Sequence, residues 1–165
     1  MLRLFRPLFF GLAAAIDGAI LATSRTLPER VASHFASGGA ANGSMPREAY
    51  VALVLAMATL LPLFIVAMMA RLPRVHPRRI RLPHRDYWLA PERRYSTFAT
   101  LSGFAWALAC ALTLFVGGMY WLILVANATN PPQLAESAGD GLALGFGTVV
   151  VLWAFALYLR FRRLG

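Results

Sequence analysis

The chain has little of what a catalyst, a metal centre or a disulfide scaffold requires. It contains a single cysteine, Cys110, so an intrachain disulfide is excluded and cysteine says nothing about compartment. Lysine is missing: the 16 basic residues are all arginine, and charged residues make up only 14% of the chain. The three histidines, His34, His76 and His84, form no ligand pattern, because "HPRRIRLPH" sets the last two eight apart. There is no phosphate-cradling glycine loop and no G-x-S-x-G. An enzyme, a metal site and a cofactor are therefore not expected.

Long apolar runs are abundant. Hydrophobic residues make up 59% of the sequence and fall into four blocks, at about 4–23, 50–70, 98–126 and 141–159. Each approaches or exceeds the roughly 20 residues that cross about 30 Å of hydrocarbon as a helix. In lipid the backbone must satisfy its own polar groups, so such blocks must be helical. The expectation is an all-α fold, a single four-pass domain over 1–165 forming an integral membrane four-helix bundle with a short structured extracytoplasmic loop.

The net charge of +9 would suit nucleic acid, but its distribution argues for topology. Arg3 and Arg6 open the first block, and Arg160, Arg162 and Arg163 close the fourth. The central segment, 71–97, carries Arg71, Arg74, Arg78, Arg79, Arg81, Arg85, Arg93 and Arg94. Segment 24–49 balances Arg25, Arg30 and Arg47 against Glu29 and Glu48, and the last connection holds only Glu136 and Asp140. The positive-inside rule then places both termini and the central loop in the cytoplasm, and 24–49 outside. The arginines read as topology signals and as contacts to the bilayer's anionic headgroups, and no nucleic-acid partner is expected. The first block also has the basic start and the small-x-small end, Ala22-Thr23-Ser24, of a signal peptide. Asp17 within it, and the even threading, argue that it is kept as a helix.

Segment 24–49 is polar yet patterned. "TLPERVASHF" reads as a short helix, with Pro28 in its first turn and Val31 and Phe35 four apart on one face. Gly38, Gly39 and Gly43 in "GGAANG" break it, and "SMPREAY" restarts a helix with Ser44 as cap and Pro46 in the first turn. Pro62 should bend the second span by freeing the carbonyl of Ala58. The central loop, with its prolines, reads as extended, Tyr87 and Trp88 as interfacial aromatics, and Pro91-Glu92 as the start of the third helix. Asn127-Ala128-Thr129 matches a glycosylation pattern common enough by chance to carry no weight.

Chemistry is concentrated at a few positions. Asp17 falls only roughly 5 Å beyond the middle of its span, where a lone carboxylate costs about 2.5–3.5 kcal/mol. Two readings stay open: a proton or cation site, or a hydrogen bond to Ser102, Thr113 or another neighbour. Gly141 and Gly145 form a GxxxG that reads as helix packing within the bundle, and Gly117-Gly118 reads the same way. His34 is either a structural hydrogen-bonding residue or a contact for an outer ligand.

"LPERVASHFASGGAANGS" resembles the extracytoplasmic motif L-P-x-x-h-x-x-H-F-x-x-x-G-x-x-x-G of a bacterial domain-of-unknown-function family, found at the N-terminus of SdpI-type immunity proteins. Leu27, Pro28, His34, Phe35, Gly39 and Gly43 are the matching positions, within a resemblance covering residues 8–70. The family's usual aromatic after the last glycine is missing until Tyr50. "HRDYWLAPERR" is similar to a segment of small bacterial membrane proteins of this type. The resemblance implies a bacterial inner-membrane protein without established catalytic activity. The expected function is a non-catalytic interaction, accessory or immunity-like role through the outer loop and helix faces. Its partners would be the bilayer and another membrane protein or an extracytoplasmic peptide. The alternative is a small proton- or ion-coupled transporter using Asp17.

Overall fold

The computed structural model describes residues 4–75 and 82–163, the side chains of 72–75 excepted. Arg3, His76, Arg78, Arg79 and Arg81 lie outside the described residues, as does the side chain of Arg74. The described order is helix α1 (Phe5–Thr23), strands β1 (Arg30–Phe35) and β2 (Ala41–Pro46), helix α2 (Arg47–Leu55), helix α3 (Leu61–Val75), the short α4 (Arg85–Trp88), α5 (Pro91–Ala126) and α6 (Glu136–Arg162). A π-helical turn, Ala56–Leu60, joins α2 to α3 into one long rod.

Four helical stretches are long and apolar enough to cross a membrane: Phe5–Thr26, Arg47–Arg71, Pro91–Ala126 and Glu136–Arg162. They coincide with the four apolar blocks and extend beyond most of their ends. Polar first turns account for the extension, because Pro91, Glu92 and Glu136 favour a helix start without being apolar. α5 is the central post: α1 and α3 pack against it, and α6 packs chiefly on α5. α6 is peripheral, with no buried residue in its most apolar stretch.

The all-α expectation needs one correction. "RVASHF" is a strand, not a helix, and pairs antiparallel with "ANGSMP" in a two-stranded hairpin. The pairing runs from Arg30 opposite Pro46 to Phe35 opposite Ala41, with irregularities on either side of His34. The tip is closed by Gly38 and Gly39 at φ 95° and 76°, values that side chains rarely adopt. The Val31/Phe35 spacing misleads because four residues bring side chains to one face in a helix and in a strand alike. Ser44 lies in β2 and caps nothing; Pro46 occupies the cap position, and the helix begins at Arg47.

The central loop is also less extended than expected. α3 continues to Val75, and "RDYW" forms α4. Trp88 is no interfacial anchor: it is buried, its indole N–H donates to the Phe161 carbonyl at 2.7 Å, and its ring meets Phe161 edge-on. Thr97, fully buried, donates to the Trp88 carbonyl at 2.8 Å. This small core ties α4 and the start of α5 to the end of α6. A second core joins Phe9 and Ala13 of α1 to Val66 and to Ala105, Ala109 and Cys110 of α5. The third unites Ile20, Leu27 and Val31 with Tyr50, Val54, Val116 and Tyr120 at the end bearing the hairpin.

Candidate functional site

The hairpin is not slack. A two-stranded ribbon is marginal by itself in water, so its order must come from what it rests on. Val31 is fully buried among Tyr50, Tyr120 and the adjoining aliphatic residues, and Leu27 enters the same core from the segment before the strand. Phe35 packs partly against it. The Thr23 and Tyr120 hydroxyls lie 2.7 Å apart beneath.

A second segment, 127–135, completes the cap. Asn127 behaves as a one-residue strand partner for β1: the Ala32 amide donates to its Oδ1 at 2.8 Å, and its Nδ2 donates to the Ala32 carbonyl at 2.9 Å. The same Nδ2 donates to Ile123, which anchors the pair to the end of α5. The Asn-Ala-Thr pattern thus has its amide committed inside the fold. At the tip, the Leu134 amide donates to the Gly39 carbonyl at 2.9 Å, and Ala40 bridges to Gln133. The Gly38 amide donates to the Glu136 carboxylate. Hairpin and second segment therefore form one cap.

The six motif positions divide by role. Leu27 is buried, whereas Pro28 is exposed and precedes the strand. Gly39 is required twice, by its positive φ and because a methyl group there would overlap the Leu134 carbonyl oxygen. Gly43 lies across from His34, whose Cβ would stand 3.1 Å from an added Cβ. His34 is exposed, with Nδ1 3.1 Å from the Ser33 hydroxyl. Asn127, Glu136 and Arg47 escaped the sequence reading as cap residues. Their only local signal was a polar side chain within five residues of an apolar block. Arg47 reaches back to the Leu27 carbonyl at 3.2 Å and joins Glu48 at 3.7 Å.

A second constellation lies along the helices. Thr59, within the π-helical turn, donates to Asp17 Oδ2 at 2.6 Å, while the buried Oδ1 has no hydrogen-bond partner among the described residues. Neither Ser102 nor Thr113 is the partner. Thr113, fully buried on α5, instead donates to the Ala58 carbonyl at 2.7 Å. That is the carbonyl which Pro62, lacking an N–H, cannot engage. π turns are frequent at functional positions, and here the turn presents both Thr59 and Ala58 to neighbouring helices.

The glycines also separate. A Cβ at Gly117 would press on Ile16 of α1 at 3.0 Å, and one at Gly118 on Leu142 of α6 at 3.0 Å. These two let α5 hold helices on two sides. At Gly141 and Gly145, read as helix-packing residues, an added Cβ would meet nothing within 4 Å. They line an apolar groove of about 300 Å³ between α5 and α6. Among the described residues, no three His, Cys, Asp or Glu side chains are grouped to hold a metal ion.

Comparison with family models, curated proteins and solved structures finds no match.

Proposed function

We propose that this chain is a non-catalytic, four-pass protein of the bacterial cytoplasmic membrane, with both termini inside. In this reading it binds an extracytoplasmic peptide, or the outer face of another membrane protein, through its cap. The observation that carries the reading is the cap's construction. A hairpin is buried on one face, tied to a second loop by the Asn127 amide, and left open on its other side. Among the described residues β2 pairs with β1 alone, so its outer edge is available for an added strand. An open hollow of about 460 Å³ lies over the hairpin, lined by Arg30 and Ala32 of β1, Asn42, Gly43 and Ser44 of β2, and Pro132. The arginine distribution supports the orientation. The resemblance to SdpI-type immunity proteins adds an immunity-like role as its most specific form.

The test is purification of the tagged chain from its native membranes in mild detergent, with a photo-crosslinking residue at Asn42. A stoichiometric partner crosslinked there, and lost on His34→Ala or Phe35→Ala, is the expected result. A clean homo-oligomer without such a partner would overturn the reading.

One observation favours a second reading, a small proton- or ion-coupled transporter: the Oδ1 of Asp17, unpartnered among the described residues. A carboxyl in hydrocarbon with an idle oxygen is suited to exchange a proton. Asp17→Asn separates the two. Transport predicts lost flux with assembly intact, whereas a packing role predicts weakened assembly.

A further inference from the structure

At the cap end of α2 lies an open groove of about 360 Å³, lined by Ser24, Arg47, Glu48, Val51, Ala52 and Leu55. Its composition changes along its length. Arg47 and Glu48, in the first turn of α2, supply one cation and one anion. Val51, Ala52 and Leu55, one and two turns further along, supply only hydrocarbon. The charged end adjoins the cap and the apolar end runs along a stretch long enough to span a bilayer. A phospholipid has the same order, headgroup first and acyl chain after.

The charges narrow the choice. Arg47 uses one guanidinium nitrogen on the Leu27 carbonyl at 3.2 Å and lies 3.7 Å from Glu48, a loose ion pair. The Glu48 side chain is 80% exposed, leaving its carboxylate free to accept from outside. A guanidinium pairs well with a phosphate, and a neighbouring carboxylate with a primary ammonium. From these facts we infer that the groove is a binding site for a zwitterionic aminophospholipid, phosphate on Arg47 and ammonium on Glu48, with an acyl chain along Val51 and Leu55. A quaternary choline headgroup cannot donate a hydrogen bond to Glu48, and a glycerol headgroup brings no cation. Selectivity resides in the headgroup, because hydrocarbon gains little by leaving lipid for an apolar groove.

This site rests on the proposed membrane insertion, and the test keeps the two apart. The full chain is purified in detergent, incubated with phosphatidylethanolamine, phosphatidylcholine or phosphatidylglycerol, and weighed intact by native mass spectrometry. The ethanolamine lipid should be retained roughly tenfold over the other two, as expected from one charge-assisted hydrogen bond. Glu48→Gln should abolish its advantage over the choline lipid, and Arg47→Gln should reduce retention of all three. Equal retention of the three lipids by the wild-type chain overturns the site, and so does a preference for the glycerol lipid. An ethanolamine preference that survives Glu48→Gln does the same. Should Arg47→Gln misfold, Glu48→Gln decides alone, since its side chain is exposed. A chain that stays soluble without detergent would refute membrane insertion itself.

Discussion

Asn127 shows how much one side chain can hold. Its amide satisfies the amide and carbonyl of Ala32, groups that an edge strand would otherwise leave unpaired against the bundle. Asn127→Ala should loosen the cap by about 1–3 kcal/mol, the cost of unsatisfied buried backbone groups. Hydrogen exchange should then accelerate across β1 while α5 stays protected; unchanged exchange at Ala32 would count against the tie. Asn127→Asp should be nearly as damaging, because a carboxylate cannot donate to Ala32. The two tip glycines offer a second residue-scale contrast. Both have positive φ, but only Gly39 faces the Leu134 carbonyl, whereas a Cβ at Gly38 meets nothing within 4 Å. Gly38→Ala should cost about 1–2 kcal/mol from backbone conformation alone. Gly39→Ala should cost more and detach segment 127–135, seen as faster exchange at the Leu134 amide. Equal effects would mean that the close approach is unimportant.

Among the elements, the α2–α3 rod is the least regular, and its irregularity is used. Pro62 removes one N–H, the helix adopts a π turn at Ala56–Leu60, and Thr113 of α5 supplies a donor to Ala58. The π turn is thereby tied to the central post. Thr113→Val should destabilise the bundle by about 1–3 kcal/mol in the wild-type chain. In a Pro62→Ala background the residue-62 amide can serve Ala58 again, so the same substitution should cost distinctly less. A double-mutant cycle by detergent unfolding measures this coupling, and strict additivity would show that Pro62 and Thr113 act separately. The hairpin carries the other element-scale lesson. Val31 and Phe35 do share an apolar face, but a four-residue spacing suits both periods. What selects the strand is the partner, β2, together with the Tyr50–Tyr120 surface beneath Val31. β2 follows after a five-residue tip, whereas Tyr120 is remote in sequence.

For the molecule as a whole, orientation is the decisive property. With Cys110→Ala as background, Ser37→Cys at the hairpin tip should react with a membrane-impermeant maleimide in intact cells. Ser96→Cys, near the start of α5, should react only after permeabilisation. The reverse labelling pattern would invert the threading and move the cap inside. Assembly is the second property at this scale. α6 packs chiefly on α5 and buries nothing along its most apolar stretch, so the chain is a three-helix body with a fourth helix laid against its post. The sequence showed four equivalent apolar blocks, and hydropathy cannot distinguish a central helix from a peripheral one. The uneven burial appears in side-chain packing: Ala105, Ala109 and Thr113 of α5 are almost fully buried, whereas Leu144, Val151 and Phe155 of α6 are exposed.

The sequence by itself determined the four helical stretches, the α5 start at Pro91-Glu92, the irregularity at Pro62 and the glycine requirement at the tip. Each follows from a property local to a few residues: transfer of apolar side chains, a missing N–H, a positive φ. Tertiary structure decided the strand over the helix at residues 30–35, the conversion of Asn127 into a strand partner, and the choice of Thr59 over Ser102 or Thr113 for Asp17. The last two join groups 95 and 42 positions apart, and the strand's buried face rests on Tyr120, which is just as remote. Local propensity and periodicity are blind at that range, because a polar side chain's partner is set by which helix faces meet.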